Sequence, residues 1–295
     1  MTLRSLVPSH PPDRAAIARL VRGVRAALAE DLGTRGDVTS RALIPAAARG
    51  RATLVAKEPG VIAGLPVAAA VFQACSPALV FRPLVRDGAG VPALTRVARI
   101  AGPLRALLAG ERTALNFLQR LSGIATLTRT FVRQVRPFRV TILDTRKTTP
   151  MFRELEKYAV RCGGGRNHRM GLHDALLIKD NHLAAVGSVS RAIALASRHA
   201  RGLSVEVECE SLAQVRAAIA ARADIIMLDN FVPAVARQAI RLIRRGSRAK
   251  IELSGGVTLA TVRRLAALRP DFISVCALTH SAPALDLSLE IAQDE

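Results

Sequence analysis

The sequence predicts an α/β protein: a compact α+β domain followed by a parallel α/β barrel. Three observations carry this reading. From Val140 onward, short apolar runs alternate with amphipathic helical patterns, the signature of successive parallel β/α units. Between Arg51 and Gly102 the pattern differs, with β-like runs gathered around one small helix and punctuated by Gly and Pro. In the second half, each apolar run also ends in charged residues or in a small or glycine turn, where a barrel carries its chemistry. The boundaries read as residues 1–115 for the α+β domain and 116–281 for the barrel, with the tail 282–295 packing back on the α+β domain.

Asp13 to Glu30 reads as an amphipathic helix, with Ile17, Leu20, Val21, Val24 and Leu28 on one face and arginines on the other. The polar stretch Glu30 to Ser40 ends it as a turn. Ala52 to Ala56, Leu79 to Val85 and Val97 to Ala101 read as strands, and Val67 to Ala74 as the small helix. Gly110 then opens a long helical pattern. Leu115, Leu118, Leu121, Ala125, Thr128, Val132 and Val135 recur at three- and four-residue steps, one buried face of about seven turns. On this reading Glu111 and Arg112 stand in the first turn, where the dipole suits the acid and disfavours the cation. An arginine set against local preference marks Arg112 as a ligand candidate.

The barrel strands are Val140 to Leu143, Ala175 to Ile178, Leu203 to Val207, Ile225 to Leu228, Ile251 to Leu253 and Phe272 to Val275. Between most of them lie the helical patterns Val189 to His199, Leu212 to Arg222, Ala234 to Arg245 and Thr258 to Leu268. A doubly wound open sheet is the competing arrangement. However, no G-x-G-x-x-G follows a strand, and no G-x-x-x-x-G-K-S/T occurs.

Composition narrows the partners. Half of the 295 residues are apolar, enough for a full core, and the net charge is +20. Nucleic acid, anionic lipid and small anions all suit such a charge, but aromatics are 3% of the chain, so base-stacking platforms are scarce. Five of the 43 cations are Lys, and no long basic block occurs, which reads as an Arg-biased surface and argues against a nucleic-acid partner. Cys75, Cys162, Cys209 and Cys276 are far apart with no C-x-x-C, which reads as reduced thiols in a cytoplasmic protein without a zinc site. The stretch before Asp13 has no apolar core of a signal peptide. The 23 uncharged residues Pro59 to Phe81 have the length of a membrane span, but Pro59, Gly60, Gly64, Pro66, Gln73 and Pro77 break them into short pieces, and no span is expected. His10 and His199 read as surface histidines; His173, His182 and His280 read as structural.

The strand ends carry Asp144 with Thr145, Arg146 and Lys147; Lys179 with Asp180; Glu208; Asp229 with Asn230; Ser254-Gly255-Gly256; and Cys276-Ala277. Arg146, Lys147 and Lys179 offer cations for carboxylate or phosphate, and the loop Gly163 to Arg169 adds Arg166, His168 and Arg169. Ser254 to Gly256 is a backbone-exposing turn suited to phosphate. Glu208 and Asp229 have three uses open to them: ribose hydroxyls, a divalent metal, or a developing positive charge. The set asks for a substrate with several negative charges and a sugar.

Several stretches resemble the quinolinate phosphoribosyltransferase family, also called nicotinate-nucleotide pyrophosphorylase (decarboxylating), of de novo NAD synthesis. They include Glu111-Arg112-Thr113-Ala114-Leu115-Asn116, Asp144 to Pro150, Gly163-Gly164-Gly165 to His168-Arg169, Ile178-Lys179-Asp180-Asn181-His182, Glu206-Val207-Glu208, Met227-Leu228-Asp229-Asn230, Glu252-Leu253-Ser254-Gly255-Gly256 and Ala277-Leu278-Thr279-His280-Ser281. The resemblance implies a type II phosphoribosyltransferase-like fold, an α+β sandwich domain beside an incomplete parallel α/β barrel, and a homodimer with shared active sites, higher oligomers staying open. It also implies conversion of quinolinate and phosphoribosyl pyrophosphate, with Mg2+, into nicotinate mononucleotide, pyrophosphate and CO2. By the same resemblance, Arg146, His168, Arg169 and Lys179 hold quinolinate's carboxylates, with Thr145 beside them and Arg112 reaching in from the partner subunit. Lys147 stands near the pyrophosphate and Glu208 and Asp229 at the ribose. Ser254, Gly255 and Gly256 with Val275, Cys276 and Ala277 hold the 5′-phosphate. No protein metal ligand is implied: the magnesium is expected mainly through the pyrophosphate, close to Glu208 and Asp229. A paralogue acting on another pyridine or associated with molybdate transport is the alternative. Two departures stand out, Met151 and Cys276 where the family usually has Gly; at Cys276 a backbone N–H still suits phosphate, but a Cβ there crowds the loop or forbids a positive φ.

Overall fold

The computed structural model describes residues 14–292, with side chains from Gly23 onward, so the expectations for Met1 to Asp13, His10, Ile17, Leu20 and Val21 lie outside the described residues. It divides into two compact units. The first takes the described residues up to Arg129, Pro150–Gly164 and those from Ala282 on, and the second takes Thr130–Thr149 and Gly165–Ser281.

In the first unit, helix α1 (Arg14–Leu32) buries Val24 and Leu28. The following stretch, expected as a turn, holds the short helix α2 (Val38–Leu43), because Asp37 caps it by accepting the Ser40 N–H at 2.9 Å. Strands β1 (Arg49–Ala56), β3 (Val80–Pro83) and β5 (Thr95–Pro103) join β12 (Leu287–Ile291) in an antiparallel sheet of order β12-β1-β5-β3. The C-terminal segment is thus an edge strand, paired from Ala52↔Ile291 to Ala56↔Leu287. Strands β2 (Gly60–Val61) and β4 (Gly90–Val91) form a second small pair. Helix α3 (Leu65–Cys75) starts with Pro66 in its first turn and buries Phe72, Val71 and Val67. The uncharged stretch Pro59 to Phe81 is therefore strand, helix and strand, and no described helix is long and apolar enough to cross a membrane.

The long helix α4 begins at Leu104, not Gly110, and runs to Val135. The run Leu104 to Ala109 is made of strong helix formers, and β5 delivers it directly after Pro103. Gly110 is a mid-helix contact: an added Cβ would lie 3.1 Å from Phe72 and from Cys75 Sγ. Its signal was packing, mistaken for a helix start. Arg112 consequently lies beyond the first turn, and the argument that it opposes the dipole falls. Leu107, Leu118, Leu121 and Ile124 are fully buried along the helix, each side chain contributing about 1.5–3 kcal/mol of burial.

Helix α5 (Arg153–Gly163), unforeseen in the sequence, also belongs to this unit. Its Glu156, fully buried, pairs with Arg120 of α4 at 2.7 Å. Tyr158 donates its hydroxyl to Asp87 at 2.6 Å, and Asp87 also accepts the Gly64 and Leu65 amides.

The second unit is a single sheet of six parallel strands: β6 (Thr141–Leu143), β7 (Leu176–Ile178), β8 (Val205–Cys209), β9 (Ile225–Asp229), β10 (Lys250–Ser254) and β11 (Phe272–Ser274). Their order is β6-β11-β10-β9-β8-β7. This is the cyclic order of a β/α barrel with the β6 to β7 contact missing, the incomplete barrel expected. Between the strands run α6 (Asp180–Val186), α7 (Val189–His199), α8 (Leu212–Ala220), α9 (Pro233–Gly246) and α10 (Leu259–Ala266); α11 (Ala277–His280) follows β11. Because all six strands run the same way, their carboxyl ends share one edge of the sheet. Cys162 and Cys209 are buried free thiols, pushed up to about 12 by desolvation, and behave as small hydrophobes.

Candidate active site

Asp144 ends β6 and is fully buried. Its carboxylate accepts the His168 N–H at 2.9 Å and the Asn167 side-chain amide. The chain returning at Gly165 makes one β-bridge, Leu143↔Arg166, with Arg166 N donating to Ile142 O at 2.9 Å and Asp144 N to Arg166 O at 3.2 Å. Asp144 is thus an anchor: it seats the segment that carries His168 and Arg169 beside β6.

Arg146 follows on the β6 exit, half-buried, with Nε buried and without a hydrogen-bond partner among the described residues. Arg169 faces it. Desolvation first, then the Arg146 charge, lowers the Arg169 pKa, while Glu206 and Asp174 act in the opposite sense. Two guanidinium groups near enough to repel each other favour a ligand with more than one negative charge. Lys147 is exposed; its N–H donates to Thr145 Oγ1 at 3.1 Å, and its carbonyl accepts the Thr279 hydroxyl at 2.7 Å, tying the β6 exit to α11.

Lys179 caps α6 and pairs with Glu208 on β8 at 2.7 Å. His182 accepts the Lys179 N–H through Nδ1, a structural role, as expected. Glu208, Glu210 and Asp229 bring carboxylate oxygens within 4.8 Å of one another, an all-oxygen set that fits magnesium. Asn230, at φ +55, donates to Asp229 through its side chain at 2.7 Å and to Ser254 O through its amide at 3.0 Å. The next turn needs glycine. Gly255 has φ +92, and a Cβ there would run into the Asn230 side chain. Cys276 has φ −64 and ψ −35, ordinary right-handed backbone ahead of α11, so the concern about a positive φ does not apply to it. It does apply to Met151, whose φ is +66 and whose side chain is 98% exposed.

The chain matches the model of the quinolinate phosphoribosyl transferase N-terminal domain over residues 37–122 and of its C-terminal domain over 124–290. It belongs to the quinolinate phosphoribosyltransferase family. A probable nicotinate-nucleotide pyrophosphorylase (carboxylating) of Synechocystis is 47% identical over 90% of each chain. Its Bacillus subtilis counterpart is 44% identical over 89% of this chain and 90% of the other. Among solved structures, the nicotinate-nucleotide pyrophosphorylase of Francisella tularensis superposes with a TM-score of 0.89 at 39% identity, covering 93% of this chain and 96% of that one.

For this family member, the second unit brings together along one edge Thr145, Arg146, Lys147, His168, Arg169, Lys179, Glu208, Asp229, the Ser254 to Gly256 turn and the Val275 to Ala277 turn. Arg112 belongs to the first unit, exposed on α4, with no hydrogen bond or ion pair among the described residues. Two acids had no role in the sequence reading. Glu206 and Glu252 lie inside β8 and β10, both buried, with Glu206 Oε2 3.0 Å from His168 Nε2. Glu252 is held well above the usual carboxylate range, by burial first and by Glu206 second. The available signal was a charge in the middle of an apolar strand, two residues before a strand-end polar group.

Proposed function

We propose that the protein transfers phosphoribosyl from phosphoribosyl pyrophosphate to quinolinate and releases pyrophosphate and CO2, forming nicotinate mononucleotide for NAD synthesis. The observation that carries the proposal is the presence, on one sheet edge, of two guanidinium groups that feel each other's charge together with a carboxylate cluster. The first suits a ring dicarboxylate; the second suits a ribose that becomes positively charged.

In this reading Arg146, Arg169 and Lys179 orient quinolinate, and Arg112 of a second subunit completes the anion site in a shared homodimer. Lys147 approaches the pyrophosphate, and the Ser254 to Gly256 and Val275 to Ala277 turns take the 5′-phosphate. Magnesium, carried mainly on the pyrophosphate near Glu208 and Asp229, supplies charge neutralisation of the leaving group. Departure of pyrophosphate leaves an oxocarbenium-like ribose, which the Glu208 and Asp229 carboxylates stabilise. The pyridine nitrogen, already aimed at the anomeric carbon, attacks it. The pyridinium so formed withdraws electrons from the carboxylate next to nitrogen, which leaves as CO2, and a proton takes its place. No covalent enzyme intermediate is needed. We place this activity in the cytoplasm, a reading with which the four free thiols agree.

The test is nicotinate mononucleotide formation from quinolinate, with and without magnesium, beside CO2 release and a nicotinate control. Product from quinolinate with stoichiometric CO2 is expected. Turnover of nicotinate in preference to quinolinate would overturn the substrate assignment.

A further inference from the structure

Strands β8 and β10 each carry, inside the barrel, a glutamate that the proposed reaction leaves without a role. Glu206 and Glu252 are 2% and 1% exposed, and with His168 they bring one donor atom each within 4.8 Å of one another. His168 Nε2 lies 3.0 Å from Glu206 Oε2 and 3.7 Å from Glu252 Oε2. Across the ring, Nδ1 accepts the Arg169 N–H at 2.7 Å. An acceptor role at Nδ1 puts the proton of the neutral ring on Nε2, aimed at Glu206.

The buried atoms do not balance if both acids are ionised. Among the described residues, Glu206 Oε1, Glu252 Oε1 and Ser274 Oγ are buried without a hydrogen bond of ordinary geometry, although the Ser274 hydroxyl lies close enough to Glu252 to act on its charge. Burial and Glu206 favour the neutral form of Glu252, and His168 and the Ser274 hydroxyl act in the opposite sense; with His168 Nδ1 taken by the Arg169 N–H, the imidazole is no fixed cation, and Arg169 acts on the cluster from the side of Glu206. Two neighbouring carboxylates in such a place do not both stay charged.

We propose that Glu252 is held as a neutral acid donating its proton to Glu206, and that Glu206 in turn fixes the tautomer and orientation of His168, making both glutamates positioning residues for the anion site above them. The polarity then closes along the chain. Glu252 O–H and His168 Nε2–H both donate to the Glu206 carboxylate, and the Arg169 amide donates to His168 Nδ1. His168 enters the site neutral and rigid, so charge recognition falls to Arg146, Arg169 and Lys179. The Glu252 acid, raised to about 8 by burial and by Glu206, agrees with a proton held at neutral pH. The consequence for substrate rests on the function proposed above; the acid pair itself does not.

Infrared difference spectra of the full chain against Glu252→Gln test the pair directly, since the amide keeps a donor where the acid has one. The wild type is expected to show the carbonyl band of a protonated carboxyl at pH 7, lost on alkaline titration and missing from E252Q. Quinolinate affinity of E252Q is expected to stay within about twofold of wild type. That of Glu206→Ala is expected to fall about tenfold or more, with a smaller change in kcat, because His168 is released. Absence of the band overturns the proposal. So does a stoichiometric divalent metal in the purified protein that E252Q loses, since a cation would then replace the proton, and so does an E252Q as impaired as His168→Ala. If the band is present but no variant binds quinolinate, the assigned function fails and the acid pair stands.

Discussion

Glu206 and Glu208 stand two residues apart on β8, on the same side of the strand, and meet opposite surroundings. Glu208 reaches the sheet edge, where Lys179, itself partly exposed, pairs with it at 2.7 Å and two further carboxylates lie close. Glu206 is one layer deeper, against an imidazole and a second glutamate, with one oxygen unbonded. The difference teaches that depth decides what an acid is for. At the edge a partly exposed lysine meets the carboxylate of Glu208, itself 8% exposed, where a substrate can reach the pair; a layer below no such partner stands by, and the acid becomes a fixture.

The sharpest way to break this contrast is at the edge. Glu208→Ala or Asp229→Ala is expected to lower kcat by about 10²–10³, with a much smaller effect on quinolinate binding by equilibrium titration. Equal losses in both would deny the edge acids their role at the ribose. Arg112→Ala, outside both clusters, is expected to weaken quinolinate binding by about 10–100-fold, the scale of one charge-assisted contact. Mixing it with an edge variant of the second unit should restore part of the activity if subunits share sites. Failure to complement would place Arg112 elsewhere.

The deep layer is tested by pH. Glu252 has a folded pKa raised from 4.5 to about 8. Its contribution to stability is full below the unfolded value and is lost as pH climbs through this window, because the unfolded chain gives up the proton first. E252Q should flatten that decline in urea midpoints measured from pH 5 to pH 8; an unchanged slope would mean that the acid is ionised in the fold. The smallest effect is expected far from either layer. Met151→Gly should raise stability by about 1 kcal/mol by relieving a left-handed backbone at an exposed residue, whereas Cys276→Gly, at a right-handed position, should leave affinity for phosphoribosyl pyrophosphate unchanged.

Much of the edge was legible because the residues after a buried strand are few and polar, so Lys179, Glu208, Asp229 and Ser254 announced themselves against the apolar runs before them. The helices α7, α8, α9 and α10 were legible for the same reason, by period. Gly110 was misread because a glycine that permits close helix packing and one that opens a helix look alike in a single sequence. Helix α5 was missed because its burial includes Glu156 and Lys157, which hide the apolar stripe. Asp144 read only as one of the strand-end charges, and its burial under the Asn167 and His168 donors depends on a segment more than twenty residues away. Glu206 and Glu252 stood in plain view inside motifs, but a charge within a strand does not say what neutralises it.

The single β-bridge between Leu143 and Arg166 has a consequence for dynamics. It closes two hydrogen bonds on the free edge of β6, and the next residues but one are His168 and Arg169. Whenever those two bonds open, both side chains leave their places, so any anion they hold binds only the closed population and its apparent affinity carries the opening equilibrium. Amide exchange at Arg166 reads that equilibrium directly, and a ligand at the edge should slow it in proportion to its own concentration.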